Sequence, residues 1–84
     1  MRAIRIAISD PPTTDIIHRF RNFGEDVYRR LREECSVSID EIDGSTNSFV
    51  VRDIHKRDVR RITKVITELL REHHFAATAT VTNL

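Results

Sequence analysis

One cysteine, two glycines, two prolines and no tryptophan leave this chain poor in the residues that mark specialised architectures. With Cys35 alone, no intramolecular disulfide can form and no spaced cysteine pair exists to hold zinc or run redox chemistry. The scarcity of glycine excludes a phosphate-cradling Gly-rich loop, and no Gly-x-Ser-x-Gly elbow occurs. No apolar run approaches the ~18 residues that span a bilayer, and Met1-Arg2-Ala3-Ile4-Arg5 lacks the apolar stretch of a signal peptide, so the expected location is the cytoplasm. Neither sign of charge prevails: 14 Lys and Arg against 13 Asp and Glu leave a net charge of +1, too little for a global field that draws in nucleic acid.

What is present is a globular composition, 39% apolar and 32% charged, over 84 residues. That length supports one core and not two, so residues 1–84 are read as a single domain. Residues 3–8 alternate, with Ile4, Ile6 and Ile8 on one side, and predict a half-buried strand ended by Ser9-Asp10-Pro11-Pro12. Thr13 or Thr14 suits a helix N-cap, and Asp15 suits the first turn. Ile17, Phe20, Gly24, Val27 and Leu31 then recur at helical spacing, flanked by Ile16, Phe23 and Tyr28, out to about Glu34. A break near Asn22 to Gly24 is weighed against one continuous helix, and the continuous helix is preferred.

Period two returns over Ser36–Ile42, with Val37 and Ile39 opposite Ser36, Ser38 and Asp40. Asp43-Gly44-Ser45-Thr46-Asn47 carries turn chemistry, and Phe49, Val50 and Val51 follow, which predicts a hairpin. Asp53 is read as the cap of a second helix over about 54–74. Its buried stripe is Val59, Ile62, Val65, Ile66, Leu69, Leu70 and His73, and Arg57, Arg60, Lys64 and Arg71 lie opposite. Ala77, Ala79 and Val81 alternating with Thr78, Thr80 and Thr82 predict the last strand. Strand, helix, strand, strand, helix, strand with right-handed crossovers favours an α+β, ferredoxin-like βαββαβ fold: a four-stranded antiparallel sheet in order 4-1-3-2 with both helices on one face. The inward set is Ile4, Ile6, Ile8, Val37, Ile39, Phe49, Val51, Ala77, Ala79 and Val81.

Three surfaces follow. The uncovered sheet face would present Arg5, Ser38, Asp40, Arg52, Thr78 and Thr80, and its lack of rings argues against base stacking of the kind RNA-binding sheets use. A small polar face or a Thr-rich edge strand suits self-association or a protein partner, although such a face is also commonly left in water. The second helix offers Arg57, Arg60, Lys64 and Arg71 as candidate phosphate contacts, against the simpler reading of a solvated helix face.

The remaining chemistry-bearing residues read as structural. His73 and His74 are adjacent and diverge by about 100°, His18 and His55 begin different helices, and none forms a metal motif. Cys35 sits at a helix C-terminus, whose dipole disfavours a thiolate, and reads as a buried thiol. Asp40, Glu41 and Asp43 could share a proton or a divalent cation, but alternation sends the first two to opposite faces, so a solvated acidic hairpin is the reading kept. Neither cofactor nor metal is expected.

Glu41-Ile42-Asp43-Gly44, Phe49-Val50-Val51 and the helix ending Leu69-Leu70-Arg71-Glu72-His73 resemble small bacterial βαββαβ proteins over residues 25–82. The resemblance implies the ferredoxin-like fold and no particular activity. The expected function is a non-enzymatic interaction module that self-associates as a homodimer or docks on a protein partner, acting through the open face or an edge strand. Nucleic-acid binding by the second helix is the alternative, and a small-ligand regulatory domain follows it. An enzyme whose acid-base pair forms only in space ranks last.

Overall fold

The computed structural model describes residues 1–39 and 47–84. In chain order the elements are β1 (Arg2–Ile8), α1 (Thr14–Glu34), β2 (Ser38–Ile39), β3 (Ser48–Ile54), a 3-10 turn (Lys56–Asp58), α2 (Val59–Glu72) and β4 (Ala79–Asn83). The four strands form one sheet in the order β2-β3-β1-β4, every neighbouring pair antiparallel. Counted from the β4 edge, the same row of neighbours reads 4-1-3-2.

β1 is central because it alternates without interruption: Ile4, Ile6 and Ile8 are buried, while Arg5 is exposed on the reverse side. α1 runs unbroken through Gly24, with Thr13 as N-cap accepting from the Ile16 amide at 3.2 Å. Gly24 is buried and has no positive φ, so it serves by its small size rather than by backbone freedom. Phe20, Phe23, Val27 and Leu31 of α1 and Ile62, Ile66, Leu69 and Leu70 of α2 share one cluster with the inward residues of β1 and β3. Both helices therefore cover the same face of the sheet.

All four phenylalanines meet in that cluster. Phe20 lies 5.4 Å from Phe49 and 5.7 Å from Phe75, edge to face with the latter, and Phe23 lies 5.7 Å from Phe49. Rings at these separations add to the roughly 1.5–3 kcal/mol that burying each such side chain contributes.

Several expectations are corrected. Asp53 caps nothing: it is the additional residue where the pairing of β3 with β1 shifts between Arg2 and Ile4, and its φ is 61°. That bulge leaves Arg52 and Asp53 both exposed and turns Ile54, an unpredicted core residue, inward. The second helix accordingly starts at Val59 and not at 54. It is preceded by the 3-10 turn, whose cap is His55, with Nδ1 accepting from the Arg57 amide at 3.5 Å.

α2 closes with the paired bonds of a Schellman motif, Phe75 N–H to the Leu70 carbonyl at 2.8 Å and His74 N–H to the Arg71 carbonyl at 3.1 Å. His74 takes φ 63° to do so. This closure throws Phe75 into the core and delays the last strand to Ala79, leaving Ala77 exposed rather than inward. The predicted turn over 43–47 lies outside the described residues except for Asn47, whose carbonyl accepts from the Ile8 amide at 2.9 Å and whose side-chain amide donates to the Ile8 carbonyl.

Candidate functional site

The face of the sheet turned away from the helices follows from the strand registers. Arg5 stands between Val50 and Thr82, Ala7 between Ser48 and Thr80, and Ser38 opposite Arg52. Arg5, Ser38, Arg52 and Thr80 lie there as expected, all exposed. Thr78 does not. It belongs to the turn before β4, where its carbonyl accepts from the Ser9 amide at 3.1 Å and from the Ser9 hydroxyl at 3.3 Å. Its own Oγ1 is buried without a partner, as is Oδ1 of Asp10. The alternation itself holds from Ala79 onward, so Thr82 lies on this face with Thr80, and Ser48 of β3 joins them beside Ala7. Asp40 lies outside the described residues. The face is hydrophilic and carries no aromatic ring among the described residues, so it offers little apolar area to a partner.

The edge beside it is different. β4 bonds β1 through the residues that alternate from the Ser9–Thr78 pair to the Ala3–Leu84 pair, whose backbone bonds measure 3.1 and 2.9 Å. Antiparallel pairing alternates bonded and non-bonded positions, so Thr80 and Thr82 bond β1 while the N–H and C=O groups of Val81 and Asn83 point out of the sheet. Among the described residues no strand pairs with that outer edge. The strand Ala-Thr-Val-Thr-Asn contains no charge and no proline, and its pairing with β1 has no bulge. Those are the usual devices by which an edge is protected from other strands.

Of the four predicted phosphate contacts, Arg60, Lys64 and Arg71 are exposed on α2, and Arg57 sits earlier, in the 3-10 turn. Glu68 stands between Lys64 and Arg71 on the same side, at 4.0 Å from Arg30 of α1. The helix face is therefore interrupted by an acid.

The fold also joins a histidine to a carboxylate, which sequence separation hid. His73 Nε2 lies 2.8 Å from Asp26 Oδ2. Asp26 also accepts from Arg29, the Phe23 ring meets the imidazole edge on at 5.7 Å, and Arg19 donates to the His73 carbonyl at 3.1 Å with its guanidinium 4.9 Å over Phe75. Each of these partners belongs to the seam between α1 and the end of α2, which makes the pair a clasp. His18, His55 and His74 are exposed and apart from it, and among the described residues no three His, Cys, Asp or Glu side chains converge as metal ligands would.

Cys35 is the C-cap of α1 and half-buried rather than fully enclosed. Burial pushes its thiol above the ordinary value, and the negative charge of Asp58 adds to this against the opposing pull of Arg61 and Arg57. No helix among the described residues is long and apolar enough to cross a membrane. No known protein family matches the chain, and no curated protein is similar to it.

Proposed function

We propose that the chain is a ferredoxin-like, non-catalytic association module that pairs with a second copy of itself along β4. The observation that carries this reading is the outward row of Val81 and Asn83 backbone groups on a strand without a protecting charge, proline or bulge. Two such strands related by a two-fold axis meet antiparallel, and identical strands can do so because Ala79–Asn83 bears no charge to repel its copy. Pairing Val81 with its counterpart sets Thr80 of one copy opposite Thr82 of the other, a cross-strand hydroxyl pair that favours the join. The sheet would then run through eight strands.

Val81→Pro tests it directly. The Val81 amide faces outward, so proline removes a donor from the edge and none from the β1 ladder. Sedimentation from about 1 to 500 μM should show dimerisation in the native chain and a shift of at least tenfold in dissociation constant for the variant. Thr80→Lys/Thr82→Lys, which leaves the core side of the strand untouched, should weaken the dimer in the same way by setting like charges opposite each other. A monomer throughout that range, or a dimer indifferent to both variants, would dispose of the edge.

Nucleic-acid binding by Arg57, Arg60, Lys64 and Arg71 ranks second, because Glu68 divides the face. Charge reversal at Arg60 and Lys64 should lower affinity for oligonucleotides if that reading holds.

A further inference from the structure

At one end of the molecule the start of β1, the end of β4 and the first turn of α2 enclose an open groove of about 500 Å³, lined by Arg2, Ala3, Lys56, Val59, Arg60, Thr63, Asn83 and Leu84. A second hollow adjoins it beside His55 and shares Arg2, Lys56 and Leu84. Three cations thus come to one groove from two distant parts of the chain, and no Asp or Glu among the described residues lines it. None of Arg2, Lys56 and Arg60 makes an ion pair among the described residues, although the chain as a whole has nearly as many acids as bases.

Two structural features create this convergence. The Asp53 bulge carries the chain from Ile54, opposite Arg2, straight into the 3-10 turn that holds Lys56, and Arg60 follows one helical turn later. The pairing of β4 with β1 brings Asn83 alongside, its carboxamide adding a neutral donor. The hydroxyl of Thr63 already donates to the Val59 carbonyl at 2.8 Å, so it lends no proton to a ligand.

We infer that this groove binds the phosphate group of a small phosphorylated molecule. Arg2 and Arg60 supply forked N–H donors, Lys56 a point charge, and a cavity of this size suits a metabolite rather than a polymer. Phosphate is favoured over carboxylate because it spreads two charges over three oxygens, enough acceptors for three cations.

Inorganic pyrophosphate is the probe, followed through backbone amide resonances at low salt. Shifts should saturate below about 10 mM and concentrate on Arg2, Lys56, Arg60 and Asn83. Arg2→Gln/Arg60→Gln, both exposed positions, should keep the fold and weaken binding about tenfold or more. Absence of shifts at that concentration, or equal shifts around Arg21, Arg29 and Arg32, would overturn the site. So would tighter binding of a short oligothymidylate that Lys64→Glu and Arg71→Glu abolish and Arg2→Gln/Arg60→Gln leave intact, since that result moves the ligand to the outer face of α2. The readout is independent of β4 pairing, because Val81→Pro leaves the three cations in place.

Discussion

Among the described residues two that are not glycine take a left-handed backbone, and the same angle has a different meaning at each. At His74, φ 63° closes α2, a position where glycine is the preferred residue because it has no Cβ to crowd the carbonyl. His74→Gly should therefore raise stability by about 0.5–1 kcal/mol, read as a higher urea midpoint at unchanged slope. At Asp53, φ 61° belongs to the bulge, and aspartate tolerates it through its short polar side chain. A β-branched residue does not, so Asp53→Val should lower stability by roughly 1–2 kcal/mol while Asp53→Asn stays near the native midpoint. Equal midpoints for the two variants would show that the bulge relaxes freely.

Cys35 adds a chemical prediction at the same scale. A thiol pushed up by burial holds less thiolate at neutral pH, so iodoacetamide should modify it more slowly than it modifies free cysteine at pH 7.5. The folded form favours the neutral thiol, which means that its contribution to stability is complete below the unfolded thiol's pKa and is lost as pH rises through the folded value.

At the scale of elements, α1 and α2 are held together by more than their apolar stripes. Asp26 and His73 join helices that the chain separates by 47 residues, and Arg19 binds the carbonyl at the end of α2. Both side chains of the pair are partly buried, so the bond is less screened than a surface ion pair. A double-mutant cycle with Asp26→Asn and His73→Gln should return a coupling of about 0.5–1.5 kcal/mol. A coupling near zero would leave the clasp without a share in stability and the seam to Phe23, Val27 and their neighbours. Helical periodicity had placed His73 at the end of the core stripe; its carboxylate partner, on another helix, was not legible from spacing.

For the whole molecule, stability rests on one ring cluster. Phe75 is fully buried and touches Phe20 and Phe23, with centroids at 5.7 and 6.2 Å. Phe75→Ala should cost about 3–5 kcal/mol, a large part of what a domain of this size has in total. Loss of a cooperative thermal transition in that variant is the expected readout, while an unchanged transition would mean that the core closes without it. The proposed association along β4 would act at this scale too, since pairing that requires the folded strand raises apparent stability with protein concentration.

The alternation in Ile4 to Ile8 and the 3.6-residue stripes of both helices determined the α+β class and the buried side of each element, because periodicity records which side of a regular backbone meets water. Turn chemistry around Asn47 likewise marked where β3 begins. Only the tertiary structure decided the rest. The αL residues Asp53 and His74 are not glycine, so no residue type announced the bulge or the helix closure that moved Ile54 and Phe75 into the core and Thr78 off the sheet face. The outward backbone of Val81 and Asn83 depends on register against β1, and the grouping of Arg2, Lys56 and Arg60 depends on the start of β1 meeting the connection from β3 to α2 in space; neither register nor long-range contact is encoded in the local spacing of side chains.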